Sequence, residues 1–461
     1  MTGLKEKRTK DRGQSMEGGR PISEDRNRKF AAANPSIGDS DAMARSLVVG
    51  YRSSVLSPRS THIALLTGGG DKPYALGLTT ALTSAGVIID FIGSDELVAR
   101  ELLANPRVNF HNLRGSQRPQ VNRVTKVLRV LNYYFRLICY AAKAKPVIFH
   151  ILWNNKIEIF DRTLLMLYYK LLGKRLVLTA HNVDKSKRDG GRSFLNRFSL
   201  RWQYRLSDHI FVHTEKMNTE LVTEFSVAKE KVSVIPFGIN NTVPNTSLST
   251  ADAKQQLGIN KDEKTLLFFG NIAPYKGLEY LVAAFTELSR ECFNYRLIIA
   301  GSVKNCQSYW RAVEQSIILS GVGERIIRKI EYVPDEDTEI YFKAADVLVL
   351  PYTYIFQSGV LFLGYSFGLP AIVADAGSLK EEIIEGETGF TFKQRNSLDL
   401  ASEIEKYFHS ELFHNLETRR AQIRKYANER YSWDKVAAIT TAIYSTLLTS
   451  DLPSSVLPSA P

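Results

Sequence analysis

The feature that most restricts the fold of this 461-residue chain is an alternation of short apolar runs with helical stretches, which occurs twice. The first series runs from His62–Thr67 to Val232–Pro236, and the second from Thr265–Phe269 to Phe390–Phe392. Strands that alternate with helices build parallel sheets with helices on both faces. The Asn-, Thr- and Ser-rich segment Asn240–Ala251 separates the two series. We therefore expect two doubly wound α/β domains that face a cleft.

The predicted boundaries follow from this pattern. They are a basic, disordered arm at 1–60, a first domain at 61–240, a second domain at 241–410, a helical tail at 411–448 and a loose Pro- and Ser-rich end at 449–461. The arm has no apolar core of a secretory signal. The uncharged stretch Val347–Ala374 is interrupted by Pro351, Pro370 and three glycines, so it predicts strand, loop, helix and strand rather than a membrane span.

Charge is concentrated in one part of the chain. The net charge is +12, and Leu102–Ile157 holds ten basic residues and no acidic one. Within Arg123–Lys145 helical spacing predicts a helix, on which Arg129, Arg136 and Lys143 recur every seven residues. The apolar positions with helical spacing are Val124, Val127, Leu128, Leu131, Tyr134, Phe135 and Ile138. Either this is a core helix with a solvated basic face, or that face rests on anionic lipid. Nucleic acid is not expected, because no recognised module or stacking pattern accompanies the charge.

The cysteines are Cys139, Cys292 and Cys306, too few and too scattered for a disulfide framework or a zinc cage. They favour a reducing compartment, and we expect no metal site.

Three glycine-containing loops follow predicted strands, where open α/β sheets bind ligands. Gly68–Lys72 does not match the dinucleotide pattern, so NAD is not expected. In the loop Gly270–Gly277, Lys276 stands at a helix start, where an ammonium neutralises a diphosphate unless it is merely solvent-exposed. Gln357–Val360 opens an apolar, hence buried, helix whose N–H groups need partners, either a phosphate or Ser358 as an N-cap.

Seven segments in order resemble the retaining nucleotide-sugar glycosyltransferases of family 4. They are Thr179–Val183, Ile235–Ile239, Phe268–Leu278, Ala345–Tyr352, Gln357–Val360, Gly368–Pro370 and Asp375–Gly377. The likeness extends over about residues 62–445 and is greater in the second domain. It implies a GT-B fold, in which two Rossmann-like domains face a central cleft and a C-terminal helix crosses back to the first. It also implies a nucleotide-sugar donor on the second domain, an acceptor on the first, and no cofactor or bound metal.

The same resemblance assigns roles to residues. His181 would contact the donor sugar near its anomeric carbon, with a capping or core histidine as the alternative. Lys276 would stabilise the departing diphosphate, and Gly69 and Gly70 would leave room for donor phosphates or acceptor when the domains close. The remaining donor contacts would be Gly270, Gly277, Gln357, Ser358, Gly359 and Val360.

Two departures from the family pattern affect these roles. Asn271 stands where the family commonly has Arg, and Lys72 is the predicted replacement cation. Ile355 and Leu363 stand where the family has paired glutamates. Glu381 is predicted to take up part of their work, the alternative being a solvated carboxylate at a helix start.

The resulting hypothesis is a cytoplasmic glycosyltransferase, peripheral at the inner face of the cell membrane, with a lipid-linked or saccharide acceptor in glycan or polysaccharide biosynthesis. The first alternative is a catalytically weak GT-B-fold binding or scaffold protein. The second, an epimerase or phosphorylase of the same fold, lacks a supporting pyridoxal-type lysine context. Two-carboxylate hydrolysis is not supported either, because no glycosidase-like carboxylate pair is evident.

Overall fold

The computed structural model describes residues 61–117, 122–184, 193–241, 243–291, 294–303 and 306–449. Within these residues the chain forms two β-sheets in which all neighbouring strands are parallel. The predicted arm at 1–60, Arg118, Cys292 and residues 450–461 of the predicted loose end lie outside the described residues.

The first sheet has seven strands and the second has six. Their bounds are β1 His62–Leu66, β2 Ile88–Gly93, β3 Val108–Asn112, β4 Ile148–Ile151, β5 Arg175–Thr179, β6 His209–Val212, β7 Val232–Val234, β8 Lys264–Phe269, β9 Tyr295–Ala300, β10 Ile326–Lys329, β11 Val347–Leu350, β12 Ala371–Ala374 and β13 Gly389–Phe392. The spatial orders are β3-β2-β1-β4-β5-β6-β7 and β10-β9-β8-β11-β12-β13. Each order reverses beside its opening strand, which is where open α/β sheets leave a ligand crevice. The predicted GT-B architecture is confirmed.

Helices connect the strands. In the first domain they are Lys72–Ser84, Arg100–Ala104, Arg123–Lys143, Glu158–Phe160, Met166–Leu171, Phe194–Leu206 and Glu215–Phe225, with a π-helical turn at Asp161–Leu165. The later ones are Thr250–Gln256, Leu278–Glu291, Gln307–Ser320, Asp335–Ala344, Gly359–Ser366, Ser397–Phe408, Glu411–His414, Leu416–Arg430 and Trp433–Thr449. Local signals set their starts: Asp71, for example, accepts a 3.0 Å hydrogen bond from the backbone N–H of Tyr74, with proline in the first turn.

The end of the described chain returns to the first domain. The helix Trp433–Thr449, here the C-terminal helix, buries Val436 and Tyr444 in the same apolar cluster as Ile63 and Leu65 of β1. Two glycines admit its first residue, since a Cβ at Gly77 or Gly238 would lie 2.4 or 2.3 Å from the Trp433 ring. The crossing predicted for the tail is confirmed. The tail is three helices rather than one stretch, with breaks at Asn415 and Ser432.

The helix Arg123–Lys143, here the basic helix, packs on the opposite face of the first sheet. Its buried side chains are Tyr133, Tyr134, Leu137 and Ala141. Of the seven apolar positions with helical spacing, only Tyr134 is buried and Ile138 is partly buried. The other five, Val124, Val127, Leu128, Leu131 and Phe135, are 57–67% exposed. The core-helix interpretation is therefore wrong for these five positions, because a second apolar stripe supplies the contact with the sheet.

Candidate active site

The loops at the carboxyl ends of the two sheets meet. Lys216, four residues after β6 ends at Val212, donates from Nζ to the carbonyl oxygen of Gly377, beyond β12, at 3.3 Å. Phe356, in the loop after β11, is buried in an apolar cluster of the first domain. The interdomain crevice is therefore lined by carboxyl-end loops from both domains, where ligands bind in this class of fold.

His181 lies on the first-domain wall of this crevice, just after β5. Its ring stacks on Trp153 with centroids 4.3 Å apart and an interplanar angle of 5°. The edge of Tyr74 meets the same ring at 4.6 Å. Phe237 lies 6.3 Å from His181 and stacks at 5.3 Å on Phe362 of the second domain. His181 is thus held by aromatic rings in a cluster that spans both domains.

A second histidine orients His181. His213 Nε2 lies 3.0 Å from His181 Nδ1, and His213 Nδ1 lies 3.3 Å from the carbonyl oxygen of Ile235. Burial lowers the pKa of His213 to about 4, so its ring is neutral at pH 7. A carbonyl oxygen only accepts, so Nδ1 of His213 carries the proton and Nε2 accepts from His181 Nδ1–H. With the proton on Nδ1, Nε2 is the ring nitrogen of His181 that can accept a hydrogen bond.

Lys276 lies on the second-domain wall, in the 3₁₀ turn Pro274–Lys276 that follows β8. Its side chain is 6% exposed, so the solvent-exposed alternative is wrong. The ammonium donates to the hydroxyl of Tyr352 and lies 4.0 Å from the centroid of that ring. Gly277 closes the turn with φ +63°, and a Cβ there would lie 2.0 Å from the carbonyl oxygen of Pro351.

Gly270 brings the backbone close to this ammonium. A Cβ at Gly270 would lie 3.9 Å from Lys276 Nζ and 3.4 Å from Val360 Cγ2. The loops after β8 and β11 therefore converge at one place, which carries a buried positive charge beside the first turn of the helix Gly359–Ser366. A ring carbon of Phe237 lies 3.8 Å from the Cβ position of Gly359, which places this helix start against the aromatic cluster of His181.

The neighbouring polar residues of the second domain are tied together. Ser358 Oγ donates to Tyr352 at 3.3 Å and makes no capping bond to its own helix, so the N-cap alternative is wrong. Gln357 Nε2 donates to Glu382 Oε1 at 3.3 Å, while its Oε1 is buried without a hydrogen-bond partner among the described residues. Burial raises the pKa of Glu382, against a bond from Tyr431.

The glycine turn after β1 packs against its own domain. A Cβ at Gly69 would lie 1.8 Å from Arg114 Nη1, and one at Gly70 would lie 2.0 Å from the Trp153 ring. Packing against the Trp153 ring thus requires glycine at Gly70, and a φ of +72° favours glycine at Gly69. The approach of donor phosphates or acceptor to this turn stays a prediction.

Three of the predicted site residues have surroundings different from those of Lys276. Lys72 Nζ donates to the carbonyl oxygen of Val98 at 3.2 Å, within the first domain. Asn271 Oδ1 accepts from Ser302 Oγ at 3.2 Å. Glu381 is exposed, whereas its neighbour Glu382 contacts Gln357. The charge replacement by Lys72 and the recognition role of Glu381 stay predictions.

Sequence reasoning missed several residues of the site, above all Trp153, His213, Tyr352 and Glu382. A simple signal was available for three of them. Trp153, His213 and Tyr352 each stand one or two residues beyond the carboxyl end of β4, β6 or β11. In an open parallel sheet those positions face the ligand crevice whatever their residue type.

This arrangement can bind and polarise an anionic group. A buried ammonium with backbone N–H groups at a helix start gives a fixed positive potential in a site of low dielectric. The oriented imidazole of His181 adds a polar group from the facing wall. Among the described residues, no group of three or more His, Cys, Asp and Glu side chains is placed to hold a metal ion.

Two family models match the chain. The model of Glycosyltransferase Family 4 matches residues 68–242, and that of Glycosyl transferases group 1 matches residues 249–430. An uncharacterized glycosyltransferase of Methanocaldococcus jannaschii is 27% identical over 241 residues, which cover 52% of this chain and 60% of the relative. A D-inositol 3-phosphate glycosyltransferase of Corynebacterium aurimucosum is 24% identical over 284 residues, 59% of this chain and 66% of the relative. The chain thus spans less than two thirds of the length of these relatives.

Solved structures agree in fold. Sucrose-phosphate synthase from Thermosynechococcus elongatus matches with a TM-score of 0.67 and 20% identity, covering 85% of this chain and 100% of that one. Anabaena HepE, in complex with UDP and glucose, matches with a TM-score of 0.62 and 17% identity, covering 86% and 100%. Each domain thus matches a glycosyltransferase family model, Glycosyltransferase Family 4 for the first and Glycosyl transferases group 1 for the second, and the two together have the GT-B fold.

Proposed function

We propose that the chain moves a sugar, with retained anomeric configuration, from a nucleotide diphosphate donor to a lipid-linked or saccharide acceptor. The observation that carries the proposal is the buried ammonium of Lys276, 6% exposed, beside Gly270 and Val360 at the crevice. A buried ammonium beside the backbone N–H groups of a helix start attracts an anion, and a donor diphosphate is such an anion. HepE is described in complex with UDP and with UDP-glucose, which supports a nucleotide sugar as donor here.

The chemistry follows from charge separation. As the glycosidic bond breaks, the anomeric carbon becomes more positive and the diphosphate more negative. Lys276 and the N–H groups that begin the helix Gly359–Ser366 favour the diphosphate side of this change. Gln357 and Ser358 contact the donor sugar or diphosphate in this proposal, and His181 faces the sugar from the first domain. No metal ion or other cofactor is part of the proposed reaction.

Donor binding is tested by thermal shift with UDP-, GDP- and ADP-sugars. A ligand that binds the folded chain raises the melting temperature in proportion to the logarithm of its concentration over Kd. We expect one nucleotide class to stabilise the wild type, Lys276→Ala to lose most of the shift and the control Lys425→Ala, an exposed lysine of the tail, to keep it. An equal shift in Lys276→Ala would remove Lys276 from the donor site.

A second candidate is a binding or scaffold protein with little or no catalysis. It is favoured by Ile355 and Leu363, which stand where the family has paired glutamates; Leu363 is 7% exposed in the apolar core. Neither side chain can accept hydrogen bonds from ribose or sugar hydroxyls. The absence of any thermal shift with all three nucleotide classes at millimolar concentration would support this candidate over the transferase.

We further infer that the first domain rests on an anionic membrane at the cytoplasmic face of the cell membrane. On the basic helix the stripe Arg129, Arg136 and Lys143 lies beside the exposed stripe of Leu128, Leu131 and Phe135. The helix Phe194–Leu206 packs in the same buried apolar cluster as the basic helix. It also exposes apolar side chains, among them Phe194, Leu195 and Phe198. Apolar groups bordered by cations are the composition of an interfacial helix. No helix of the described residues is long and apolar enough to cross a membrane.

Co-sedimentation with phosphatidylglycerol vesicles tests this surface. Reversal of Arg129, Arg136 and Lys143 to Glu is expected to release the protein, because each cation near the surface is worth about 1 kcal/mol. Phe135→Ser with Leu131→Ser is expected to weaken binding at unchanged charge. A matched control reverses three exposed cations elsewhere, Arg311, Lys393 and Lys425. Equal sedimentation of the first variant and this control would show that the basic stripe is only solvated surface.

A further inference from the structure

A half-enclosed cavity of about 510 Å³ lies in the first domain, between the basic helix and the loops after β3 and β4. Four cationic side chains line it: Arg114, Lys126, Arg129 and Lys156. None of the residues that line it is acidic, and no described carboxylate forms a salt bridge with any of the four. Like charges gathered around a cavity repel each other, so the arrangement favours an anionic occupant.

The cations are held in place by neighbours. Arg114 Nη2 donates to Asn155 Oδ1 at 3.4 Å, and its guanidinium carbon lies 5.0 Å from the centroid of the Tyr133 ring. Tyr133 donates to the same Asn155 oxygen at 2.7 Å. Arg129 Nη1 donates to the carbonyl oxygen of Ser116 at 3.3 Å. Two of the four positive charges are therefore oriented before a ligand arrives, which lowers the entropic cost of binding.

The carboxylates of Glu96 and Asp161 lie near Arg114, whose positive charge favours the ionised form of each. Asp161 accepts from Tyr134 at 2.9 Å and from the backbone N–H of Asn155 at 2.7 Å. It also accepts from Asn155 Nδ2 at 3.2 Å. Because its oxygens are engaged by these donors, Asp161 fixes the loop that carries Asn155 and Lys156.

Arg114 and the loop from Trp153 to Lys156 connect the cavity to the interdomain crevice. Arg114 abuts Gly69 of the glycine turn, as the 1.8 Å distance from the Cβ position shows. Trp153 stacks on His181 and begins the loop that reaches Lys156 three residues later. A group bound to Arg114 thus lies beside the turn and the tryptophan that border His181.

We propose, resting on the transferase function above, that this cavity binds a phosphate or diphosphate group of the acceptor, and that Arg114, Lys126, Arg129 and Lys156 are its ligands. Guanidinium and ammonium groups bind phosphate oxygens through charge-assisted hydrogen bonds, and arginine does so in bidentate geometry. The anchored phosphate positions the rest of the acceptor toward His181. Both a soluble sugar or polyol phosphate and a phosphate carried on a lipid present this chemistry. Val127 and Leu131, two of the exposed apolar side chains of the basic helix, also line the cavity.

The first experiment measures binding of inorganic pyrophosphate by calorimetry in the presence of saturating UDP, so that the donor site is filled. Arg114→Gln and Lys156→Gln are expected to weaken pyrophosphate binding about tenfold or more, and Lys425→Gln to leave it unchanged. Lys156 is exposed, so its variant reports on the cavity even if Arg114→Gln unfolds. Unchanged pyrophosphate affinity in the folded variants overturns the proposal.

Donor binding is measured in parallel, by the UDP-induced thermal shift. If the variants lose pyrophosphate affinity but keep the UDP-induced shift, the cavity proposal is supported and the donor site is separate from the cavity. If UDP does not bind while pyrophosphate binding still depends on Lys156, the cavity stands and the transferase proposal fails. If UDP alone abolishes pyrophosphate binding in the wild type, the probe reported the donor site and the cavity proposal is overturned.

Two further arms distinguish the sources of the phosphate. Glycerol 3-phosphate is the soluble probe, and phosphatidylcholine vesicles with 10 mol% farnesyl phosphate are the lipid probe. A Lys156-dependent affinity for glycerol 3-phosphate indicates a soluble acceptor. A Lys156-dependent gain of vesicle binding over phosphatidylcholine alone indicates a lipid-linked one. If neither probe binds in a Lys156-dependent way, the cavity is not an acceptor site.

Discussion

The two walls of the crevice carry their positive charge differently. In the second domain, Lys276 is buried under Tyr352, next to Ser358 and the pair Gln357–Glu382. In the first domain, His181 sits among aromatic rings, and the cations lie around an open cavity and along the basic helix. A buried, fixed charge suits a ligand that is always the same, such as a diphosphate. Exposed cations beside an apolar stripe suit a larger partner that arrives from solvent or from a membrane.

The largest expected effect comes from His181, on the first-domain wall of the crevice. His181→Ala is expected to lower kcat about 10²–10³-fold, since removal of one preorganised polar group from a reacting centre has an effect of this size. The UDP-induced thermal shift is expected to remain, because the proposed diphosphate contacts lie on the other wall. Steady-state kinetics with the donor class identified by thermal shift check this. His409→Ala, at an exposed histidine, is the control.

A loss of UDP binding in His181→Ala, rather than of kcat, would contradict the division of labour between the walls. It would mean that the aromatic cluster around Phe237 supports the donor site itself.

The next largest effect concerns the packing of the C-terminal helix against the first domain. Trp433 fills the space left by Gly77 and Gly238 and donates from Nε1 to the carbonyl oxygen of Ile239 at 2.9 Å. Trp433→Ala is expected to destabilise the fold by about 3 kcal/mol, within the range for large-to-small changes at packed aromatic sites. Urea unfolding measures the change. Trp202→Ala, a partly exposed tryptophan of the helix Phe194–Leu206, is expected to cost less than half as much; an equal cost would show that the C-terminal helix adds little to the packing.

The first domain is expected to lose stability at low pH before the second domain does. Burial lowers the pKa of His150 to about 3, and of His209 and His213 to about 4, all in the first domain. The described histidines of the second half, His409 and His414, are exposed. Below the ordinary value near 6.5 the unfolded chain binds protons that these folded histidines do not. Their contribution to stability is therefore complete above pH 6.5 and is lost toward pH 4, by up to about 1.4 kcal/mol per pH unit for each histidine.

Hydrogen exchange at pH 7 and pH 5 checks this asymmetry. Amides of the first sheet are expected to lose protection at pH 5 before those of the second. His209→Gln, which removes one of the three groups, is expected to reduce the difference. A uniform loss of protection across both sheets would show that the buried histidines do not control acid stability.

The sequence predicts the strands and loops far better than it predicts which side chains they bury. Twelve of the thirteen strands match apolar runs. The edge strand β3 was missed because Val108–Asn112 contains three polar residues and none of its side chains is fully buried. On the basic helix two apolar stripes satisfy helical spacing, so periodicity alone cannot tell which stripe meets the sheet. The burial of Lys276 depends on Tyr352, 76 residues away along the chain. A pattern within one loop does not contain that contact.

The smallest expected effect is a difference between two adjacent carboxylates, Glu381 and Glu382. Glu382→Gln is expected to raise the donor KM about two- to tenfold, because it replaces the charge-assisted bond from Gln357 with a neutral one, a loss of about 0.5–1.5 kcal/mol. Glu381→Gln is expected to change KM less than twofold, since that side chain is exposed and its Coulombic neighbours are Lys216 and Glu215 of the first domain. Donor-saturation kinetics of both variants measure the difference. If Glu381→Gln has the larger effect, the carboxylate predicted from the sequence recognises the donor, and the Gln357–Glu382 bond is only a structural link between the loop and Tyr431.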